Sequence, residues 1–327
     1  MSKNIAPSTD DSRLLVTFAL FAYNQEQFIR EAVEGAFAQT YSPLEIILSD
    51  DCSSDRTFEI MQEMAAEYVG PHKVILNQNK RNLGIGGHIN RVMELENGDL
   101  IVVAAGDDIS CSHRVETLVN CWISNDCSAD SLHSQVMRMT KEGKDTDIFK
   151  TRLCKHTCPE DFIKKCIIVG ASHAWTKRLF ERFGNLNTDI IREDRVIGFR
   201  ASISGGVLFI DKPLVRYRDG GISQTDYKQL DTDPSKKILQ AHIAILECIQ
   251  NYKDCMRIDK NNIKILNSIR YSIGKNIASM IVATNSGKSS TLLFRNLFSF
   301  NVEFLKGIIL KHAYFLYNFY KKISFHQ

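Results

Sequence analysis

No apolar run in the chain approaches the roughly 20 residues that a membrane-spanning helix requires, so no transmembrane segment is expected. The first thirteen residues, MSKNIAPSTDDSR, are polar; no secretory leader is expected, and residues 1–12 read as disordered. Internal repeats and low-complexity tracts are absent too, which sets aside solenoid and fibrous architectures. A strong charge of one sign is also missing: 41 Lys and Arg against 38 Asp and Glu leave +3. That small total hides an asymmetry. Residues 235–327 hold 14 Lys/Arg against 4 Asp/Glu, a net +10, while residues 1–234 sum to −7. A mildly acidic body with a basic tail does not describe a uniform nucleic-acid surface, and no nucleic-acid partner is expected. The nine cysteines, without a leader, read as reduced thiols of a cytoplasmic protein. Cys154-x-His156-x-Cys158 with Cys166 has the wrong spacing for a zinc ribbon and no second pair, so zinc is not expected there.

What the chain does have is an apolar run at 100–105, LIVVAA, that stops abruptly at Gly106-Asp107-Asp108. An unbroken run of this length suits a strand covered on both faces. Gly106 breaks it, and the two carboxylates project from its carboxyl end, the edge where open α/β sheets bind ligands. A second run, 45–49 (EIILS), ends in Asp50-Asp51. Hard oxygen donors of this kind suit Mg²⁺ or Mn²⁺ bridging a diphosphate. Two strand-end Asp pairs in one α/β domain point to a nucleotide-diphosphate site. Strands are predicted at 14–22, 44–49, 74–77 and 99–105, with helices at 26–38, 55–68 and 86–95 between them. That order predicts a parallel sheet with right-handed crossovers. The rhythm then changes: a strand at 131–140 turning at 141–144, a helix at 193–204, and strands at 207–210 and 214–217. Residues 231–234 read as a linker before basic-apolar helices at 238–252, 263–284 and 291–319.

Three segments occur in a telling order: Ala22-Tyr23-Asn24-Gln25-Glu26, Gln39-Thr40-Tyr41-Ser42-Pro43-Leu44-Glu45, and Asp50-Asp51-Cys52-Ser53-Ser54-Asp55-Arg56-Thr57. Asn82-Leu83-Gly84, Asn90, Gly98-Asp99, Gly106-Asp107-Asp108, Glu193-Asp194 and Arg200 follow. Together they closely resemble family 2 inverting glycosyltransferases, over roughly residues 12–218. The resemblance implies a GT-A nucleotide-sugar-binding fold over 13–230, an α/β domain with a mostly parallel central sheet, plus a C-terminal helical extension over 235–327. It also implies roles. Tyr23 and Asn24 line the nucleotide pocket, Asp51 bonds the pyrimidine ring, and the loop carrying Asn82 and Gly84 lies beside the nucleotide. Asp107 and Asp108 hold Mn²⁺ or Mg²⁺ with Asp107 also near the nucleotide, although Ala105 replaces the first acidic position of the family's D-x-D motif. Asp194 is the general base and Glu193 orients sugar or acceptor; His173 and Trp175 face sugar and acceptor. Arg218 meets the diphosphate, although Asp219-Gly220-Gly221 replaces the histidine usually found after it.

Each residue also has a plain structural alternative. Tyr23 could cover the sheet edge, and Trp175 could be core. The Asp and Glu pairs could complement helix N-termini. Gly84-Ile85-Gly86-Gly87 could be a turn before a helix; it lacks the G-x-G-x-x-G spacing of a dinucleotide fingerprint, but its glycines permit close approach and could turn amides toward an anion. The function implied is transfer of a sugar from a nucleotide diphosphate, uridine being the family's commonest base, to a glycan or lipid-linked acceptor. The implied setting is bacterial cell-surface polysaccharide assembly, of O-antigen or capsule type. The aromatic-cationic tail segments 292–298 and 314–322 predict peripheral association with anionic lipid at the inner face of the cytoplasmic membrane. Packing on the catalytic domain or a dimer interface is the competing reading. One rival function is a sugar-phosphate nucleotidyltransferase, whose Gly-rich basic signature is missing from Phe21-Ala22-Tyr23-Asn24. The other is a catalytically inactive sugar- or nucleotide-binding relative, which Ala105 keeps open.

Overall fold

The computed structural model describes residues 13–149, 158–164, 168–220 and 234–285. Strands β1 (Val16–Ala22), β2 (Leu44–Asp50), β3 (Lys73–Gln78) and β4 (Leu100–Ala105) alternate with helices α1 (Ile29–Phe37), α2 (Thr57–Glu67) and α3 (Gly84–Met93). After them come β5 (Ile109–Ser110), α4 (Arg114–Ile123), β6 (Ser131–Met139), β7 (Asp145–Phe149) and α5 (Pro159–Lys164). A 3-10 turn at Gly170–Ser172 leads into β8 (Ala174–Thr176), α6 (Lys177–Phe183), α7 (Glu193–Ser202) and β9 (Val207–Arg218). Two long helices, α8 (Pro234–Ile258) and α9 (Ile263–Asn285), follow.

The strands form one sheet in the order β3-β2-β1-β4-β8-β6-β9-β5, with β7 on β6. Pairings among β1 to β4, and between β6 and β9, are parallel; β8 runs antiparallel to both β4 and β6. The apolar runs are unbroken because both faces are covered. Phe18 and Leu20 of β1 meet Ile29, Val33 and Met61 of α1 and α2. Ala19 and Phe21 point the other way, to Ile89, Leu179 and Ile197 of α3, α6 and α7. From β1 the chain steps outward through β2 to β3, then α3 returns it across to β4 on β1's other side. That reversal leaves a crevice at the carboxyl ends of β1 and β4, the position where such sheets bind ligands.

One expectation is revised and three short elements are new. Residues 207–218 form one strand rather than two; Pro213, which cannot donate to a ladder, is accommodated where the register with β6 shifts between Ser134 and Val136. The short elements α5, β8 and α6 were not foreseen. Helices α8 and α9, where helices were expected, pack on α5 and α7. Phe162 and Phe199 share a core with Cys248, Ile269 and Ile273, and Ile245 packs near Met280. Arg200 of α7 bonds Asp254 of α8 at 2.8 Å, with the two side chains 0% and 4% exposed. No helix among the described residues is long and apolar enough to cross a membrane. The linker at 231–233 and the helix expected at 291–319 lie outside the described residues.

Breaking a buried ion pair from one side strands the other charge, which costs about 3–5 kcal/mol. Asp254→Ala should therefore lower unfolding stability by about that amount, read as a fall in the urea midpoint with an unchanged m-value.

Candidate active site at the sheet edge

β1, β2 and β4 end level: Ala22 registers with Asp50, and Phe21 with Ala105. Tyr23-Asn24, Asp51 and Gly106-Asp107-Asp108 thus leave the sheet side by side. Asn24 sits at φ 52° with its side-chain oxygen accepting the Ser54 amide at 2.8 Å, while its own amide donates to Ser53 Oγ at 2.8 Å. Asp50 accepts from both the amide and hydroxyl of Ser53. The loop after β2 is therefore folded back over Asn24, and Tyr23 stands beside it, 38% exposed. Asp51 is buried; its Oδ1 accepts Asn79 Nδ2 at 2.8 Å and the Leu83 amide at 2.9 Å. Asn82 Oδ1 accepts the Gly84 amide at 2.9 Å, closing the turn that Gly84 enters at φ +68°.

The Gly84 amide, the first of the glycine run, is thus already engaged, as is that of Leu83 before it. Gly86 serves packing. A Cβ there would lie 2.7 Å from the Asn187 carbonyl oxygen, so only glycine lets the loop before α7 rest on α3. Asn90 fastens the same loop, exchanging two 2.8 Å hydrogen bonds with the Leu186 backbone. His88 bonds Ser49 Oγ at 2.7 Å, and burial pushes it down to about 4, so it stays neutral.

At the end of β4, Gly106 passes so close to α1 that a Cβ would lie 2.5 Å from Gln25 Oε1. Asp107 and Asp108 are both buried. Asp108 Oδ1 accepts the Arg218 amide at 2.8 Å, while its buried Oδ2 has no hydrogen-bond partner among the described residues. Burial, with the Asp107 charge beside it, holds the Asp108 carboxyl well above its ordinary range. Arg218 is 2% exposed, with Nε on the Asp107 carbonyl at 2.9 Å, Nη1 on the Lys141 carbonyl at 2.6 Å and Nη2 on Glu31 at 3.0 Å. The resemblance predicted a diphosphate contact; with those donors occupied and the side chain covered, Arg218 is instead a brace behind the Asp pair. Arg114, which the sequence reading missed, is a second cation there. It is fully buried, bonds Ser110 Oγ at 2.9 Å and the His173 carbonyl at 3.3 Å, and is pushed down to about 9 by burial. Nothing in the sequence distinguishes it from any first-turn helix arginine.

Antiparallel β8 brings the third group to this edge. Its register sets Ala174 against Val102, so the Gly170–Ser172 turn lies beyond the carboxyl end of β4. Glu193, the first residue of α7, packs on that turn so tightly that a Cβ at Gly170 would come 2.8 Å from Glu193 Oε1. Asp194 follows, its Oδ1 accepting the Arg195 amide at 2.8 Å. Burial, then the neighbouring Asp194 charge, pushes the Glu193 carboxyl up to about 8. Glu193 is accordingly protonated near neutrality.

His173 and Trp175 do not face the crevice, contrary to the expectation for them. Trp175 is 1% exposed, within the core between β4 and α6, and its indole nitrogen meets Met93 Sδ at 3.4 Å. His173 is fully buried, bonds Ser131 Oγ at 2.6 Å, and is held neutral by desolvation. Neither ring can receive a sugar in this packing. Among the described residues no group of three His, Cys, Asp or Glu could hold a metal ion. Cys154, His156 and Cys166 lie outside those residues.

Residues 17–188, just over half of the chain, match the family described as Glycosyl transferase family 2, and the chain belongs to that family. Its fold is GT-A. The putative glycosyltransferase EpsE of Bacillus subtilis is 36% identical over 104 residues, 32% of this chain and 37% of that protein. The succinoglycan biosynthesis protein ExoO of Rhizobium meliloti is 27% identical over 230 residues, 64% of this chain and 62% of its own. An uncharacterised Mycobacterium tuberculosis protein, Rv1520, is 40% identical over 88 residues, only 25% of its length. The chain thus spans less than two thirds of the length of these relatives. Among solved structures, S. aureus TarS 1–349 with UDP-GlcNAc superposes with a TM-score of 0.55 at 14% identity, covering 81% of each chain. The Pyrobaculum calidifontis mannosyltransferase PcManGT with GDP-Man and Mn²⁺ gives 0.54 at 16% identity, over 88% of this chain and 80% of that one.

The raised Glu193 carboxyl has a signed consequence for stability. Its proton is held more tightly folded than unfolded, so this contribution is full below pH 4.5 and is lost as pH rises through about 8. Glu193→Gln should melt with wild type below pH 4.5, at a progressively higher temperature than wild type as pH rises from 4.5 to about 8, and with a constant difference above that, which thermal scans across a pH series would measure.

Proposed function

We propose that the chain is an inverting glycosyltransferase that moves a sugar from a nucleotide diphosphate, with UDP as the expected carrier, to an acceptor hydroxyl. The observation that carries this reading is the meeting of three carboxylate groups, Asp51, Asp107-Asp108 and Glu193-Asp194, at one sheet edge and its crevice. The nucleotide sugars named with the TarS and PcManGT structures, and the polysaccharide named for ExoO, support the donor class and a role in building cell-surface glycan. Both rivals are less well supported: a nucleotidyltransferase would need the basic loop that is missing after the first strand, and the intact Asp107, Asp108 and Asp194 argue against an inactive relative.

In this reading Tyr23, Asn24 and Asp51 hold the nucleoside, with Asn82 and Gly84 shaping the adjoining loop. Asp107 and Asp108 fit Mn²⁺ or Mg²⁺: they are hard donors, and Asp108 Oδ2 is a buried oxygen with no hydrogen-bond partner among the described residues. Diphosphate oxygens and waters would complete the shell, and the ion would offset charge on the departing diphosphate. Asp194 accepts the acceptor's hydroxyl proton as that oxygen attacks the anomeric carbon from the face opposite the leaving group. Glu193, carrying its own proton, donates a hydrogen bond that orients sugar or acceptor. The aromatic-cationic segments 292–298 and 314–322 would rest the enzyme on the inner face of the cytoplasmic membrane, near a lipid-linked or growing glycan.

Loss of a general base costs ~10²–10⁴-fold in rate. Asp194→Asn should reduce single-turnover transfer by that order with donor affinity nearly unchanged; transfer at a near-normal rate would overturn the assignment. Asp108→Asn should abolish the metal dependence of UDP binding in calorimetry. Removing residues 288–327 should move the protein from the membrane pellet to the soluble fraction, and full-length protein indifferent to anionic vesicles at low salt would refute the membrane role.

A further inference from the structure

A cleft of about 550 Å³ opens where α5 and the start of α7 meet α8 and α9. Its lining includes five cations, Lys164, Arg192, Arg195, Lys237 and Lys275, and no Asp or Glu. These side chains come from four helices and the residue preceding α7, far apart in sequence, and the fold gathers them on one wall. Glu247 of α8 stands behind the two arginines. It accepts Arg192 Nε at 2.5 Å and Nη2 at 2.9 Å, and lies 3.2 Å from Arg195 Nη1. One carboxylate thus engages two guanidinium groups while cancelling a single charge, and Arg195 Nη2 also donates to the Phe162 and Ile163 carbonyls at 3.3 and 2.9 Å. None of the three lysines forms an ion pair among the described residues. Arg195 Nε is buried and has no hydrogen-bond partner among them either. Like charges gathered this way repel one another, a cost that a bound anion removes.

Position says which anion. Arg192 and Arg195, which line the cleft, flank Glu193 and Asp194 in sequence, so cleft and proposed base share the first turn of α7. The first turn of α7 adds its positive end. Resting on the transferase reading above, we infer that this cleft holds a phosphate or diphosphate group of the acceptor, presenting the acceptor hydroxyl to Asp194. Donor and acceptor phosphates then occupy different settings: the donor beside Asp107 and Asp108, the acceptor against lysine and arginine of the helices. The helical region therefore contributes to substrate choice. A neutral acceptor would leave its cations uncompensated.

The test uses the full chain with inorganic diphosphate as probe, titrated by calorimetry in EDTA so that metal-dependent binding is silent. Wild type should bind diphosphate, and rising salt should weaken it. K237Q/K275Q should bind roughly tenfold or more weakly, the worth of about one charge-assisted hydrogen bond. Mn²⁺-dependent UDP binding should be unchanged in that variant, which also reports that it is folded. Equal diphosphate affinity in the two proteins, or no metal-free binding by wild type, would overturn the inference. Phosphatidylglycerol vesicles separate two supporting outcomes: weaker vesicle binding by K237Q/K275Q assigns a lipid-borne phosphate, and unchanged vesicle binding a soluble phosphorylated acceptor. Failure of UDP to bind wild type with Mn²⁺ would count against the transferase reading, while the metal-free diphosphate result would still decide the cleft.

Discussion

Two buried carboxylates side by side repel each other and lose their hydration, and the sheet edge exists because cations are fixed behind them. Arg218 is the main one. Its backbone amide holds Asp108 and its guanidinium holds the Asp107 carbonyl, the Lys141 carbonyl and Glu31. One side chain from the last strand thereby ties β4 to α1 and to the turn between β6 and β7. Arg114 supplies a second positive charge from below. Burial and the neighbouring Asp107 charge nevertheless hold the Asp108 carboxyl well above its ordinary range, so the pair retains its proton more tightly than a solvated one.

The first half of the fold was legible because its signal is strong: two-sided burial produces runs such as LIVVAA, and two of them end in Asp50-Asp51 and Gly106-Asp107-Asp108. Beyond Asp108 the signal fades for physical reasons. β8 is three residues long, too short for any periodicity, yet it is the strand that carries the Gly170 turn to the edge. Asp211-Lys212-Pro213 reads as an interruption, whereas the partner strand absorbs it by shifting register. The carboxylates Asp51, Asp107, Asp108, Glu193 and Asp194 were found from motif order. The rings were not placed correctly, because a sequence does not say on which side of a short strand a tryptophan falls. Arg218 was expected at the diphosphate, whereas here its guanidinium bonds the Asp107 and Lys141 carbonyls and Glu31, and Arg114 and Glu247 carried no local signal at all.

The glycines teach a related point. Gly86, Gly106 and Gly170 each mark a place where another element touches the backbone: the loop before α7, the start of α1, and the Glu193 carboxylate. At Gly86 the approach is to backbone, the Asn187 carbonyl; at Gly106 and Gly170 it is to the side chains of Gln25 and Glu193. Asn90 also joins α3 to Leu186 through both ends of its amide.

The grip of α8 on α7 also bears on how such enzymes can be recombined. Arg192, Arg195 and Arg200 all lie at or within α7, and their carboxylate partners Glu247 and Asp254 lie on a helix that follows the sheet in sequence. A chimera joined after the last strand would import a helical pair whose carboxylates need not match three arginines at or within α7. The crossover that keeps these ion pairs whole must fall before α7 or after α8, so the Glu193-Asp194 turn and α8 move together as one block.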